Sequence, residues 1–259
     1  IVLMRFAKSN LVVKWPYLRE SFQTGRSVST ILFSALPNTL FLALFSIIIA
    51  AFQGIVLGTL ASLNRGSYWD DFILGFSTLG YSVPSYVSAM AFALLFAFYW
   101  RDVTGLNLQG SLWELDDFGN EIVVWKNILL PCLALSIRPV AVITQLMRNS
   151  MNEVGEKPFI KALRAKGISR FTLTTRHLVR NALNPVVTAL SGWFASLLTG
   201  AFFVEYVFSY KGLGYTTINA LLNFDIPVVL GAILLSASFF ILINITIDFI
   251  YKFLDPRIV

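Results

Sequence analysis

The stretch RNSMNEVGEKPFIKALRAKGISRFTLTTRHLVRNALNP, residues 148–185, decides how this chain is read. It lies between two apolar stretches and is strongly basic. Arg148, Lys157, Lys161, Arg164, Lys166, Arg170, Arg176 and Arg180 stand against Glu153 and Glu156. The pattern predicts two short helices. The first runs from about Pro158 to Lys166: proline suits a first helical position, and Phe159, Ile160, Ala162 and Leu163 form an apolar stripe at helical spacing. Gly167 is a natural stop, because glycine enters the left-handed region without steric cost. Ser169 can cap a second helix over Arg170 to Leu183, with Arg176 and Arg180 one turn apart and Pro185 opening the next apolar stretch. A short amphipathic helix lying across the end of a membrane bundle suits the docking of a soluble partner. The competing reading is a solvated basic loop that only obeys the topology rule.

Composition supplies the membrane. Of 259 residues 56% are hydrophobic and only 13% charged, with mean hydropathy +0.72. A soluble domain carries roughly 25% charged residues. The formal net charge of +6 sits mostly in loops, where it sets orientation, so nucleic acid is not an expected partner. The single Cys132 excludes an internal disulfide, and the single His177 excludes a histidine-rich metal cluster. No Gly-x-x-x-x-Gly-Lys-Ser/Thr occurs, so this chain cannot hold ATP in a P-loop.

Working outward, the apolar stretches predict about five spans. The first lies within 31–63; no charge occurs between Arg26 and Arg65, which exceeds the ~20 residues one crossing needs, so part of 27–38 around Pro37 is expected at the interface. Asn64 to Ser67 predict a tight turn, with Tyr68 and Trp69 at the membrane boundary. The second span covers about 72–100, with Pro84 as either a packing kink or a gating hinge. Residues 101–126 read as a loop. The third span, about 127–147, carries Arg138 in its middle. A charge at that depth faces protein or water, so Arg138 is a substrate-pathway residue or an arginine paired to a neighbouring helix. Gln53 and Gln145 are further pathway candidates within the spans. The fourth span, about 184–204, holds small residues at Ser191-Gly192 and Thr199-Gly200 that permit close helix approach. The fifth is about 227–250. With the basic segment placed in the cytoplasm, 101–126 and 205–226 fall outside; the acidic 101–126 loop and the basic 148–182 loop agree with the positive-inside rule, and the N-terminal segment, with Arg5, Lys8, Lys14, Arg19 and Arg26, does not.

From Lys161 to Gly167 the chain resembles the EAA loop of ABC-importer permeases, in which Glu-Ala-Ala is followed after three residues by Gly. Here the triplet is Lys161, Ala162, Leu163, so one alanine and the glycine are kept. Arg164-Ala165-Lys166-Gly167 and the run from Arg176 through Pro185 are similar to the peptide (and nickel) branch of that family. Further similar motifs follow in family order: Leu18 to Val28, Ser82 to Ser85, Val204 to Phe208, Lys211 to Gly214, Asp225 to Pro227, and Asp255 to Arg257. The resemblance implies an all-α polytopic membrane bundle of the ABC-importer permease (MetI-like) type, in a bacterial-type inner membrane. It implies an external or interfacial segment over 1–30, a transmembrane domain over 31–259 with a coupling loop at about 148–183, and a first family helix that precedes this sequence, which begins on Ile1.

What the resemblance implies for function is a permease subunit forming half of a pathway for dipeptides or oligopeptides. Its partners would be a second permease subunit, two cytoplasmic ABC ATPases that carry the ATP and magnesium, and an external substrate-binding protein. Phe159, Lys161, Ala162, Leu163, Arg164, Ala165, Lys166 and Gly167 are then the ATPase-coupling residues, and Glu205, Gly212, Gly214 and Asp225 belong to an external-loop family motif. The residues themselves offer no converging acid–base or metal-ligand set, no His-Glu-x-x-His and no Gly-x-Ser-x-Gly, so catalysis by this chain is not expected. The alternative is an ion-gradient-driven secondary transporter or channel subunit, which would respond to a gradient rather than to ATPase partners.

Overall fold

A computed structural model describes residues 17–254. The motif at Asp255 to Arg257 and the basic residues Arg5, Lys8 and Lys14 lie outside the described residues. The described residues form eleven α-helices and one β-hairpin: α1 (Val28–Leu63), α2 (Tyr68–Ser82), α3 (Ser85–Phe92), α4 (Arg101–Thr104), β1 (Trp113–Leu115), β2 (Glu121–Val123), α5 (Lys126–Glu156), α6 (Pro158–Ala165), α7 (Arg170–Thr172), α8 (Arg180–Gly200), α9 (Phe202–Val207), α10 (Leu213–Leu222) and α11 (Ile226–Leu254). Two π-helical stretches, Ala93–Tyr99 after α3 and Leu173–Val179 between α7 and α8, keep those segments helical.

The centre is the pair α1 and α5. From Ala43 onward the buried residues of α1 are small: Ala43, Ser46, Ala50, Gly54, Gly58 and Ala61. A Cβ on Gly54 would stand 2.6 Å from the Cβ of Ile143, and one on Gly58 would stand 2.6 Å from the carbonyl oxygen of Thr144. Backbone-to-backbone approach of this kind holds membrane helices together where water supplies no hydrophobic drive. Close approach was expected on the fourth span instead; around Gly192 there is open space.

Three apolar clusters surround this pair. One joins Leu42 and Ala43 to Cys132, Leu135, Leu198, Val204, Phe208 and Tyr210. A second joins Ala50, Ile143, Met147, Met151 and Val154 to Ile160, Leu173 and Leu178. The third packs Val28, Leu32 and Leu36 against Leu213, Val228 and Ala232.

Several expectations change. The first helix runs unbroken through Pro37 from Val28, a continuity the sequence did not specify; its 36 residues make it roughly 54 Å long, more than the ~30 Å hydrocarbon core. The second span is not one kinked helix. Val83 and Pro84 separate α2 from α3 and the two halves meet at 105°. With 15 residues, α2 reaches only roughly 22 Å, short of the ~30 Å hydrocarbon core. The turn expected at Asn64 to Ser67 is present, and Tyr68 to Asp71 form the first turn of α2, capped by Ser67. The 101–126 segment holds α4 and the β1–β2 hairpin, in register Trp113↔Val123 and Leu115↔Glu121. At the hairpin turn Asp116 accepts the N–H groups of Phe118 and Asn120; the bonds from Asn120 hold its carboxyl below the usual carboxylate range. The third span continues to Glu156, and the second helix of the basic segment continues through Pro185 to Gly200.

By length and composition three described helices can cross a membrane, α1, α5 and α11, and a fourth if the bent α2–α3 pair counts as one. The fourth expected span, α8, is not among them although it has 21 residues. The reason is a polar stripe at helical spacing, Asn181, Asn184, Thr188 and Ser191.

Candidate functional site

Two regions carry the residues singled out from the sequence. The first is the end of the bundle where α5 stops. Lys157 breaks from the helical region, Pro158 starts α6, and Gly167 ends the connection at φ +78°. No atom lies within 4 Å of where a Gly167 side chain would begin, so backbone conformation, not crowding, requires glycine. The Ser169 hydroxyl accepts the Thr172 N–H and caps α7 as expected.

The apolar stripe of α6 is divided. Ile160 is fully buried in the cluster with Met151, Leu173 and Leu178, and Leu163 packs beside it. Phe159, 42% exposed, and Ala162 point away from the bundle, together with the exposed Lys161, Arg164, Ala165 and Lys166. One face of the helix is therefore anchored and the other presents an aromatic ring ringed by cations. Between α6–α7 and the ends of α1 and α5 lies a cleft of about 590 Å³, lined in part by Arg65, Asn152, Glu156, Arg164 and Arg170.

Polar ties brace this end. Arg148 grips Asp70 with two bonds, Nε to Oδ1 at 2.7 Å and a terminal nitrogen to Oδ2 at 2.6 Å, and the Gly66 N–H also donates to Asp70. The Asp70 side chain is 1% exposed and that of Arg148 21%. Ser62 donates to Asn152 at 2.9 Å, and Arg65 pairs with Glu156 at 3.0 Å. Sequence reasoning did not single out the Asp70–Arg148 pair. Its signal was present in two facts, an acidic residue three after a serine cap and a basic residue at the end of an apolar run.

The pair is the first rung of a seam between α2 and α5. Further along, Gln145 Nε2 lies 3.4 Å from the Thr78 hydroxyl. At the last turn of α2 the Arg138 guanidinium sits over the Tyr81 ring, 5.3 Å from its centroid. Lys126 to Arg148 spans roughly 33 Å of α5, and Arg138 falls near its middle. Two of the three pathway candidates, Arg138 and Gln145, thus share one seam. Gln53 does not; it is exposed on α1, next to the close contact at Gly54.

The second region gathers Glu205, Gly212 and Gly214. Glu205, on α9, is 0% exposed. One carboxylate oxygen accepts the Thr39 hydroxyl at 2.7 Å; the other accepts the Gly214 N–H at 2.7 Å and the Tyr215 N–H at 3.1 Å, the first turn of α10. The Leu213 N–H donates to the Thr39 oxygen at 2.8 Å. A Cβ on Gly212 would collide with the carboxylate, and one on Gly214 with the backbone of Phe202. Burial pushes the Glu205 carboxyl up to about 7, against the lowering effect of these donors. Burial likewise pushes the Tyr210 phenol up. Carboxylate and glycines together fasten α9 and α10 to α1. Asp225 does not join them. It is 4% exposed at the start of α11, where it accepts the Ser21 hydroxyl and the Phe22 N–H and ties the 18–28 segment to that helix.

The comparisons agree with this architecture. The family described as binding-protein-dependent transport system inner membrane component matches residues 54–259. The oligopeptide transport system permease protein OppB of Haemophilus influenzae is 35% identical over 235 residues, covering 90% of this chain and 72% of the relative. The dipeptide transport system permease protein DppB of Escherichia coli K12 is 36% identical over 239 residues, covering 85% and 70%. Among solved structures, an inward-facing MetNI methionine ABC transporter chain superposes with TM-score 0.67 at 17% identity over 88% of this chain and 97% of its own, and an amino acid ABC transporter chain with 0.59 at 15% over 89% and 95%. These two share the fold. On the family match and the two permease relatives, this chain belongs to the binding-protein-dependent inner membrane components, the permeases of ATP-binding-cassette importers.

Proposed function

We propose that the chain forms half of a peptide pathway, for dipeptides or oligopeptides, and takes its power stroke from a cytoplasmic ATPase through α6. The observation that carries the coupling role is the divided surface of α6. Ile160 roots it in the bundle while Phe159 and Ala162 are exposed among the described residues. An aromatic anchor at the centre of a polar rim is how a protein interface concentrates its binding energy. The Asp70–Arg148 pair ties the start of α2 to α5, and Ile160 roots α6 beside Met151 and Val154 of α5, so a push on α6 reaches the helices that would bound the pathway. The peptide substrate is supported by what the relatives transport. The polar stripe of α8 supports a water-facing role for that helix, since lipid would not solvate it.

In this reading the α6 end is cytoplasmic, and the hairpin and the 205–226 segment face the external binding protein. ATP and magnesium belong to the ATPase chains. Alternating access then requires only that ATP and the loaded binding protein favour different states of the pair. Purification from the native membrane in mild detergent, with mass spectrometry of what accompanies the chain, tests this. Recovery of a P-loop ATPase, a second permease and a peptide-binding protein is expected. A chain recovered alone after cross-linking, with transport driven by an ion gradient, overturns it.

A further inference from the structure

Arg138 is the one charge near the middle of α5, and its surroundings do not explain its cost. Among the described residues it has no ion-pair partner, and its buried Nε has no hydrogen-bond partner. It rests on the Tyr81 ring, which steadies a guanidinium without neutralising it. A planar fork in that state lacks an anion of matching shape, and a carboxylate is that shape. The place is also unusual. Tyr81 lies in the last turn of α2, two residues before Val83 opens the break, and on the far side Ser85 and Tyr86 begin α3 with N–H groups that an α-helix leaves free. Broken helices, whose half-helix N-termini present free backbone donors, are where transporters hold ions and charged substrate groups.

We propose that Arg138, seated on Tyr81 at the α2–α3 break, receives the terminal carboxylate of the peptide as it crosses. The proposal rests on the peptide reading above. A peptide carries one such group whatever its side chains, so a single arginine serves many sequences and leaves side-chain choice to the binding protein. Tyr81 is a positioning residue that holds the fork in plane.

The test uses the complete transporter in proteoliposomes, with radiolabelled dialanine as substrate. R138C is expected to lower uptake by about tenfold or more, the loss of a charge-assisted hydrogen-bond pair, while both ATPase and second permease still co-purify. A cationic aminoethyl methanethiosulfonate reagent should restore most of the uptake, and the anionic sulfonatoethyl reagent should not. Cys132, 1% exposed, stays out of reach of both. Dialanine delivered on its binding protein should slow the modification. Uptake by R138C equal to wild type, rescue by both reagents alike, or loss of the second permease from R138C complexes overturns the proposal; the last would make Arg138 a pairing charge. Failure of the wild-type transporter to import dialanine and longer peptides overturns the peptide reading itself, and is seen before any variant is made.

Discussion

Glu205 gives the sharpest prediction about what holds this chain together. Replacing it with alanine removes the acceptor of three donors: the Thr39 hydroxyl and the Gly214 and Tyr215 N–H groups. The hydroxyl can turn to a carbonyl one turn back along α1. The two N–H groups cannot turn, and each stranded donor costs about 1–3 kcal/mol. Relief of the carboxyl's own burial offsets part of this, so Glu205→Ala should cost about 3 kcal/mol. Glu205→Gln keeps one oxygen for the two N–H groups and places its amide at the Thr39 oxygen, so about 1 kcal/mol is expected. The two variants also differ in pH dependence. The carboxyl ordinarily titrates at 4.5 and is held at about 7 in the fold. Between those values the folded chain keeps a proton that the unfolded chain has released. Wild-type stability should therefore fall by about 3 kcal/mol as pH rises from about 4.5 to about 7, then level off. Glu205→Gln should abolish that slope. Cys132, buried at 1% exposure, is a built-in reporter: a fluorescent maleimide labels this chain only as it opens, and heating the detergent-solubilised complex followed by gel separation reads its melting. Glutamine less stable than alanine, or a pH slope that survives in the glutamine variant, would refute the reasoning.

The same melting assay checks two further sites. Gly58→Ala forces a Cβ against Thr144 and Met147 and should cost about 2 kcal/mol, whereas Gly75→Ala, with open space around it, should be neutral or slightly stabilising. Arg148→Gln strands a carboxylate that is 1% exposed and should cost about 3 kcal/mol; Asp70→Asn strands an arginine that water partly reaches and should cost about 2, with the double variant well short of the sum. For the connection after α6, Gly167→Val should leave membrane insertion intact and abolish ATP hydrolysis stimulated by loaded binding protein, while Gly167→Asn, which tolerates φ +78°, should retain most of it.

Much of this was legible in the chain itself. Pro158, Gly167 and Ser169 marked α6 and the start of α7 because proline, positive φ and capping are local effects. Apolar length announced α1, α5 and α11. What stayed hidden depended on partners distant in sequence. The outward turn of Phe159 and Ala162 follows from where Ile160 finds its cluster, which the stripe alone does not show. Gly54 and Gly58 carry no local signal of their own; their role shows only where α5 lies against them. Glu205 and Gly212 looked like a loop motif, and only Thr39, on a helix far away in sequence, reveals a buried clamp. The Val83–Pro84 break looked like a kink because proline permits either; the 105° angle follows from the packing of both halves against α5.

The most direct test of the account is to place a photoreactive phenylalanine analogue at position 159 of the complete transporter and illuminate it. The prediction is a cross-link to the ATPase chain, which weakens or shifts when ATP is added, with no such product from the same analogue at Ile160, which faces the bundle. A probe at position 159 that reaches only lipid, the second permease or this chain itself, in a complex that still contains the ATPase, would contradict the claim that α6 is where the two meet.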